Sequence, residues 1–149
     1  MPSPKPRVWT LEEANGALPD LSFRIGRQMV LLAEIEERLR SLEASVGTID
    51  EDTLAPAEDD PLVLGTLKAE LRDRLERFRS AWREVEEMGV VVKDPRVGLI
   101  DFYGEVEGDI VFLCWQYGER QVGFWHSLDG GFAARQPLDP VFPKERVLN

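Results

Sequence analysis

The chain has 149 residues, 43% of them apolar, which is enough for one ordinary globular core and leaves no room for a second sizeable one. Its 28 acids outnumber its 18 bases for a net charge of −10, which opposes attachment to nucleic acid or to an anionic membrane surface, since both need clustered positive charge. No apolar run approaches the roughly 20 residues that span a bilayer, the N-terminus lacks the apolar stretch of a secretory signal, and one cysteine closes no internal disulfide, so the expectation is a single domain (1–149) that is soluble and cytoplasmic.

The first element is a helical segment over 10–46. Thr10 followed by Glu13 fits a capping box. Pro19 interrupts the first turns, so residues 10–18 are expected as a separate short helix. From Leu21 an apolar stripe runs through Ile25, Gln28 or Met29, Leu32, Ile35, Leu39, Leu42 and Val46 at steps of three and four. The segment 47–61 follows, with six acids, no Lys or Arg, and Gly47, Pro56 and Pro61. It reads as a mobile acidic connector, because a calcium loop needs oxygen ligands at fixed alternate positions that are missing here. The second helix, 62–88, carries the stripe Leu64, Leu67, Leu71, Leu75, Phe78, Trp82 and Val85, and Gly89 is its stop. Glu34–Arg38, Glu36–Arg40, Glu70–Arg74 and Asp73–Arg77 are i,i+4 pairs with the acid first. Two such helices form an antiparallel hairpin that cannot cover both stripes by itself, so a third layer or a partner chain is required.

The period then changes to two, in a β-meander over 89–128 with strands Gly98–Tyr103, Asp109–Tyr117 and Arg120–Ser127. Glu107-Gly108 and Gly118-Glu119 are read as two-residue hairpin turns. On that reading paired residue numbers sum to 215 in the first hairpin and 237 in the second. Ile100, Phe102, Val106, Val111, Leu113, Trp115, Tyr117, Val122, Phe124 and His126 then share an apolar face against the helices. Asp101, Tyr103, Ile110, Phe112, Cys114, Gln116, Gln121, Gly123 and Trp125 make a mixed outer face. A proline-rich tail, 129–149, closes the chain. The expected fold is α+β: a long antiparallel helical hairpin packed against a three-stranded antiparallel β-meander.

Several short runs carry a resemblance. Gly98-Leu99-Ile100-Asp101-Phe102, Leu113-Cys114-Trp115 with Gly118-Glu119, Trp125-His126, Gly131-Phe132 and Arg135-Gln136-Pro137-Leu138 resemble a bacterial uncharacterised family, domain of unknown function 2203. Glu13-Ala14-Asn15 with Leu18-Pro19, and Gly89-Val90 with Val92-Lys93-Asp94-Pro95, fit the same pattern. The resemblance implies a fold shared with relatives and a set of recurring polar residues, and no reaction.

By residue type, His126, Glu119 and Cys114 are the metal trio, since imidazole, carboxylate and thiolate all bind divalent metals. The counted register separates them: Cys114 points to the mixed face, His126 to the apolar one, and Glu119 sits at a hairpin tip. A bulge in the second hairpin would reverse that parity. The bland alternatives are an imidazole bonded to a carbonyl or an acid at the core edge, and a buried, inert thiol. The same count sets Asp101, Cys114 and Gly123 side by side, leaving a hollow walled by Tyr103, Phe112 and Trp125. Either the tail fills it through an Arg135–Asp101 bridge, or it is a small-molecule site with Asp101, Tyr103, Cys114, Trp125 and Arg135 as its lining. No nucleophile elbow, dinucleotide fingerprint or phosphate loop occurs. The leading functional expectation is a non-enzymatic interaction or scaffold module that self-associates as a homodimer, or binds another protein, through its coiled-coil-like hairpin. Trp9, Trp82, Met88 and the arginines of the second helix are its anchors. The alternative is a small-molecule or metal-binding protein, or a small enzyme, with its site on the mixed sheet face. No cofactor is indicated beyond a divalent metal in that alternative, and neither nucleic acid nor membrane is an expected partner.

Overall fold

A computed structural model describes residues 6–138. The chain divides into two compact units: one holds the chain up to Gly26 and from Trp82 onward, the other holds Arg27–Ala81. Two helices packed together, α1 (Leu11–Val46) and α2 (Leu62–Glu87), contribute to both.

Helix α1 starts on the expected capping box. The Thr10 N–H donates to Glu13 Oε1 at 2.8 Å and the Glu13 N–H donates to Thr10 Oγ1 at 3.0 Å, which satisfies two otherwise free donors reciprocally. Pro19 does not divide the helix, contrary to expectation; it lies inside one uninterrupted element. An interior proline removes one helical hydrogen bond, at a cost of about 3 kcal/mol. Burial of Ala14 and Leu18 before it, and of Leu21 and Ile25 after it, holds both sides of the proline in line and offsets that cost.

The Arg27–Ala81 unit has its own core. Ile35, Leu42 and Leu71 are fully buried, and Ile49 and Leu54 pack against them. Part of the cover for the helical stripes is thus supplied by the connector, which is largely exposed and yet not featureless. Asp50 and Thr53 bond reciprocally through side chain and backbone, a 3-10 turn spans Asp52–Leu54, and Asp60 accepts the Ala57 N–H at 2.9 Å. Lys68 then ties the connector to α2, donating to both Asp60 oxygens and to Ala55 O at 3.0–3.2 Å. The expected i,i+4 pairing is partly replaced by pairing between the helices. Arg38 reaches Glu70 at 2.7 Å and Arg74 reaches Glu34 at 3.0 Å, a reciprocal quartet that fixes the antiparallel register.

In the other unit the sheet has five strands rather than three, all antiparallel and in chain order: β1 (Val91–Asp94), β2 (Leu99–Val106), β3 (Asp109–Gln116), β4 (Phe124–His126) and β5 (Gln136–Pro137). The β2–β3 register is the one counted from the sequence, with Ile100 opposite Trp115 and Asp101 opposite Cys114. Glu107 and Gly108 both have positive φ (52° and 89°), the type I′ geometry that suits the right-handed twist of a hairpin.

The second hairpin departs from the count. The turn sits one residue early, with the Glu119 N–H donating to Gln116 O and Gly118 at φ 101°. The chain then leaves the ladder, because the Val122 N–H donates to the Asn15 side chain of α1 at 2.8 Å and Val122 is buried. It rejoins at Phe124, so pairs sum to 238, with Phe112 opposite His126 and Cys114 opposite Phe124. That one-residue slip moves Phe124 and His126 to the outer face and Trp125 to the inner one. Of the expected proline-rich tail, Gln136–Pro137 pairs with β4 and Leu138 donates to Gly123 O at 2.8 Å. Residues 139–149, with Pro140 and Pro143, lie outside the described residues.

The inner sheet face buries Ile100, Phe102, Val106, Val111, Leu113 and Trp115 together with Leu18, Leu21 and Ile25 of α1 and Val85 of α2. Trp9 and Trp82, expected as interface anchors, are 3% and 5% exposed and belong to the core. Trp9 donates its indole N–H to Gly89 O at 3.1 Å and meets Phe102 edge-on.

Candidate metal centre

The slip in the second hairpin assembles the site. On the outer face Asp101, Cys114 and Phe124 form one row across β2, β3 and β4, and Tyr103, Phe112 and His126 form the next. Strands β2 and β4 are two spacings, roughly 10 Å, apart. The His126 ring and the Asp101 carboxyl bridge that gap over the central strand, with Nε2 2.9 Å from Oδ2. Nδ1 lies 2.8 Å from Ser127 O. A carbonyl only accepts, so Nδ1 carries a hydrogen and the Nε2–Asp101 contact holds the one further proton shared by the pair. His126 therefore takes the bland role weighed for it, bonded to a carbonyl and an acid, and it does so beside a thiol.

Asp101, Cys114 and His126 are 1%, 0% and 2% exposed, and each offers one ligand atom within 4.8 Å of the other two. Among the described residues they are the one group of three or more His, Cys, Asp or Glu placed to hold a metal ion. Burial pushes the Asp101 carboxyl above its ordinary value, opposed by His126, the Cys114 thiol and Lys93. Burial, reinforced by the Asp101 charge, pushes the Cys114 thiol up to about 12. A thiol so placed is no nucleophile at neutral pH. The second carboxyl oxygen, Asp101 Oδ1, is buried with no hydrogen-bond partner among the described residues.

Two cations flank the cluster. Lys93 enters from the irregular step of β1 between Val92 and Asp94, its Nζ 3.9 Å from Asp101 Oδ2 and 4.1 Å from the centre of the Phe112 ring. Arg135 enters from the segment before β5. It does not bridge to Asp101 as expected. Both its terminal nitrogens bind Glu119, at 3.0 and 2.6 Å, and its plane lies between the Phe124 and Phe132 rings at 3.9 and 4.2 Å. One terminal nitrogen is 4.0 Å from Cys114 Sγ. Glu119 is thus occupied: its Oε1 also accepts the Gln116 N–H, and its carbonyl accepts the Trp115 indole N–H.

The residues expected by type are therefore divided. His126 and Cys114 come together, Asp101 takes the place given to Glu119, and Glu119 anchors Arg135 beside them. Tyr103 lies on the same face with its ring 4.7 Å from Phe112, while Trp125 is opposite Leu113 on the inner face. The expected hollow at Gly123 is absent from the row, where Phe124 stands instead. Sequence reasoning missed Lys93 and the stacking role of Phe132. The usable signal was Val122, an apolar residue beside polar neighbours that belongs to the core only if the chain leaves the ladder.

The fold and site define an α+β protein with a buried carboxylate, thiol and imidazole on the outer face of a five-stranded meander. The chain belongs to the family described as "Uncharacterized conserved protein (DUF2203)", whose model matches residues 7–138. No curated protein and no solved structure matches the chain.

Proposed function

We propose that this protein binds one divalent transition metal of the zinc class through Asp101, Cys114 and His126. The observation that carries the reading is the convergence of three different donor atoms within 4.8 Å, one of them on a carboxyl whose second oxygen is buried without an N–H or O–H partner among the described residues. A tetrahedral zinc site with bonds of about 2.0–2.3 Å sets its ligand atoms roughly 3.3–3.8 Å apart, so on loading the widest pairs, within 4.8 Å, close by up to about 1.5 Å while His126 Nε2 and Asp101 Oδ2, 2.9 Å apart, open slightly. The His126 tautomer already suits it. A metal-bound imidazole ordinarily gives its other N–H to a carbonyl or carboxylate, and Ser127 O fills that place for Nδ1. Three protein ligands leave a fourth position for water or a ligand atom. Mixed S, N and O donors favour zinc, cobalt or ferrous iron over calcium or magnesium.

The test is cobalt(II) titration of chelator-treated protein, followed by absorbance and by elemental analysis after desalting. One equivalent of tightly held metal, with a sulfur-to-cobalt charge-transfer band that disappears in Cys114→Ser, is the expected result. Absence of retained metal in the folded wild-type protein contradicts the reading and leaves the cluster as a buried polar network that fixes the strand register.

A second reading rests on a separate observation. Leu62 and Val63, neighbours at the start of α2 in the Arg27–Ala81 unit, are 85% and 81% exposed, a large apolar pair turned to water. Self-association as a homodimer through these residues is the interaction role they support. Sedimentation at high concentration tests it: a monomer throughout excludes it, and a dimer that Leu62→Glu with Val63→Glu dissociates supports it.

A further inference from the structure

Resting on the metal reading above, we infer that the open coordination position takes a small carboxylate ligand, with Lys93 as its counter-ion. The argument begins with charge. A divalent ion bound to the Asp101 carboxylate and the Cys114 thiolate is electrically neutral as a unit. Arg135 adds nothing to the balance, because Glu119 answers it with both oxygens. Lys93 is left. Its contact with Asp101, at 3.9 Å, is too long for a hydrogen bond, and metal binding takes up the charge it faces. The loaded site therefore carries one positive charge against the Phe112 ring. A monoanion at the open position brings the metal, its two anionic ligands and Lys93 to neutrality, which neither a neutral ligand nor a dianion does.

Geometry selects a carboxylate among monoanions. A carboxylate presents two oxygens a short distance apart, one for the metal and one for the Lys93 ammonium, so it engages both cations at once. The direction of entry follows from exposure. The Lys93 side chain is 35% exposed while Asp101 is 1% exposed, so the β1 side is where solvent approaches the cluster. On the opposite side Arg135 is clamped between Phe124 and Phe132 and is only 15% exposed. With the three ligand residues 0–2% exposed, the open position admits a small ligand such as a short-chain acid rather than a long one.

Acetate titration of cobalt-loaded protein in chloride-free buffer tests the inference, with Lys93→Met and Lys93→Arg beside the wild type. Lys93 is partly exposed, so both variants are expected to fold. The expected result is a saturable change in the visible cobalt bands with acetate, weakened at least about tenfold in Lys93→Met and largely restored in Lys93→Arg, in keeping with the loss of one charged partner of a half-buried ion pair. Cobalt affinity itself should rise or hold in Lys93→Met, because a competing cation beside Asp101 is gone. Cobalt bands indifferent to acetate, or a response equal in Lys93→Met or reproduced by chloride alone, overturn the inference and leave the metal site intact. Failure of the wild-type protein to take up cobalt overturns both.

Discussion

The two units handle buried polarity in opposite ways. In Arg27–Ala81, the buried polar groups are answered: Lys68 has both Asp60 oxygens and the Ala55 carbonyl, and the Gln28 amide donates to Phe78 O at 2.8 Å; the half-buried Arg38 and Arg74 each hold a glutamate of the facing helix. In the sheet unit, Asp101 is buried with one oxygen on His126 and the other without an N–H or O–H partner among the described residues, the weak donor thiol of Cys114 being the carboxyl's remaining neighbour. A closed polar network specifies which segments meet, since each group left unpaired costs about 1–3 kcal/mol. An open one keeps that cost until something else supplies the missing partner. The difference separates polar groups that hold a fold in register from polar groups arranged around a place for a ligand.

The comparison can be broken from the Arg27–Ala81 side. Leu71 is fully buried in that unit's core and belongs to no part of the metal cluster. Leu71→Ala should destabilise by about 2–5 kcal/mol, measured by urea unfolding, while metal stoichiometry at low temperature stays at that of the wild type. Loss of metal uptake in the folded variant would show that the cluster is not self-sufficient within the sheet unit.

Lys68→Met gives a smaller effect, a fall in Tm of several degrees as the connector loses its tie to α2. Its pH dependence sharpens the point. The Ala57 N–H, then Lys68, hold the Asp60 carboxyl below its ordinary value of 3.8. A depressed folded pKa means stability that is present in full above 3.8 and is lost as pH falls through the lower, folded value. Wild type and variant should therefore converge in Tm toward the acid end of that window; a gap that stays constant would show that Lys68 acts through packing alone. Smallest of the series, Thr10→Ala removes half of the capping box and should cost about 1 kcal/mol, again by urea unfolding.

What the sequence made legible was local. The capping box depends on residues three apart, the Glu107-Gly108 turn on two, and the β2–β3 register follows by counting from that turn. The second hairpin was misread because its course is set by Asn15, whose side chain takes the Val122 N–H from 107 positions away. Once that bond draws the chain off the ladder, parity changes, and His126 passes from the core face to Asp101. Strands β1 and β5 were missed for a related reason: Val91–Asp94 and Gln136–Pro137 are too short to show alternation, and they become strands only against a neighbour. The metal trio was legible by residue type in Cys114 and His126, but its third member was not, because Glu119 and Asp101 exchange roles through Arg135, which a count of faces does not place.

The most direct measurement is the thermal melt of wild type and Asp101→Asn, each with chelator and with excess zinc. Asparagine matches aspartate in shape and can donate its amide N–H to His126 Nε2, so without metal the two proteins should melt within about 3 °C of one another. Zinc at about a hundred times its dissociation constant adds about 2.7 kcal/mol to a protein that binds it only when folded, which raises the wild-type Tm by about 5–10 °C and leaves Asp101→Asn unmoved. A wild-type Tm that zinc does not shift, together with a large loss in Asp101→Asn under chelator, would contradict the account and make the carboxyl, thiol and imidazole a structural core.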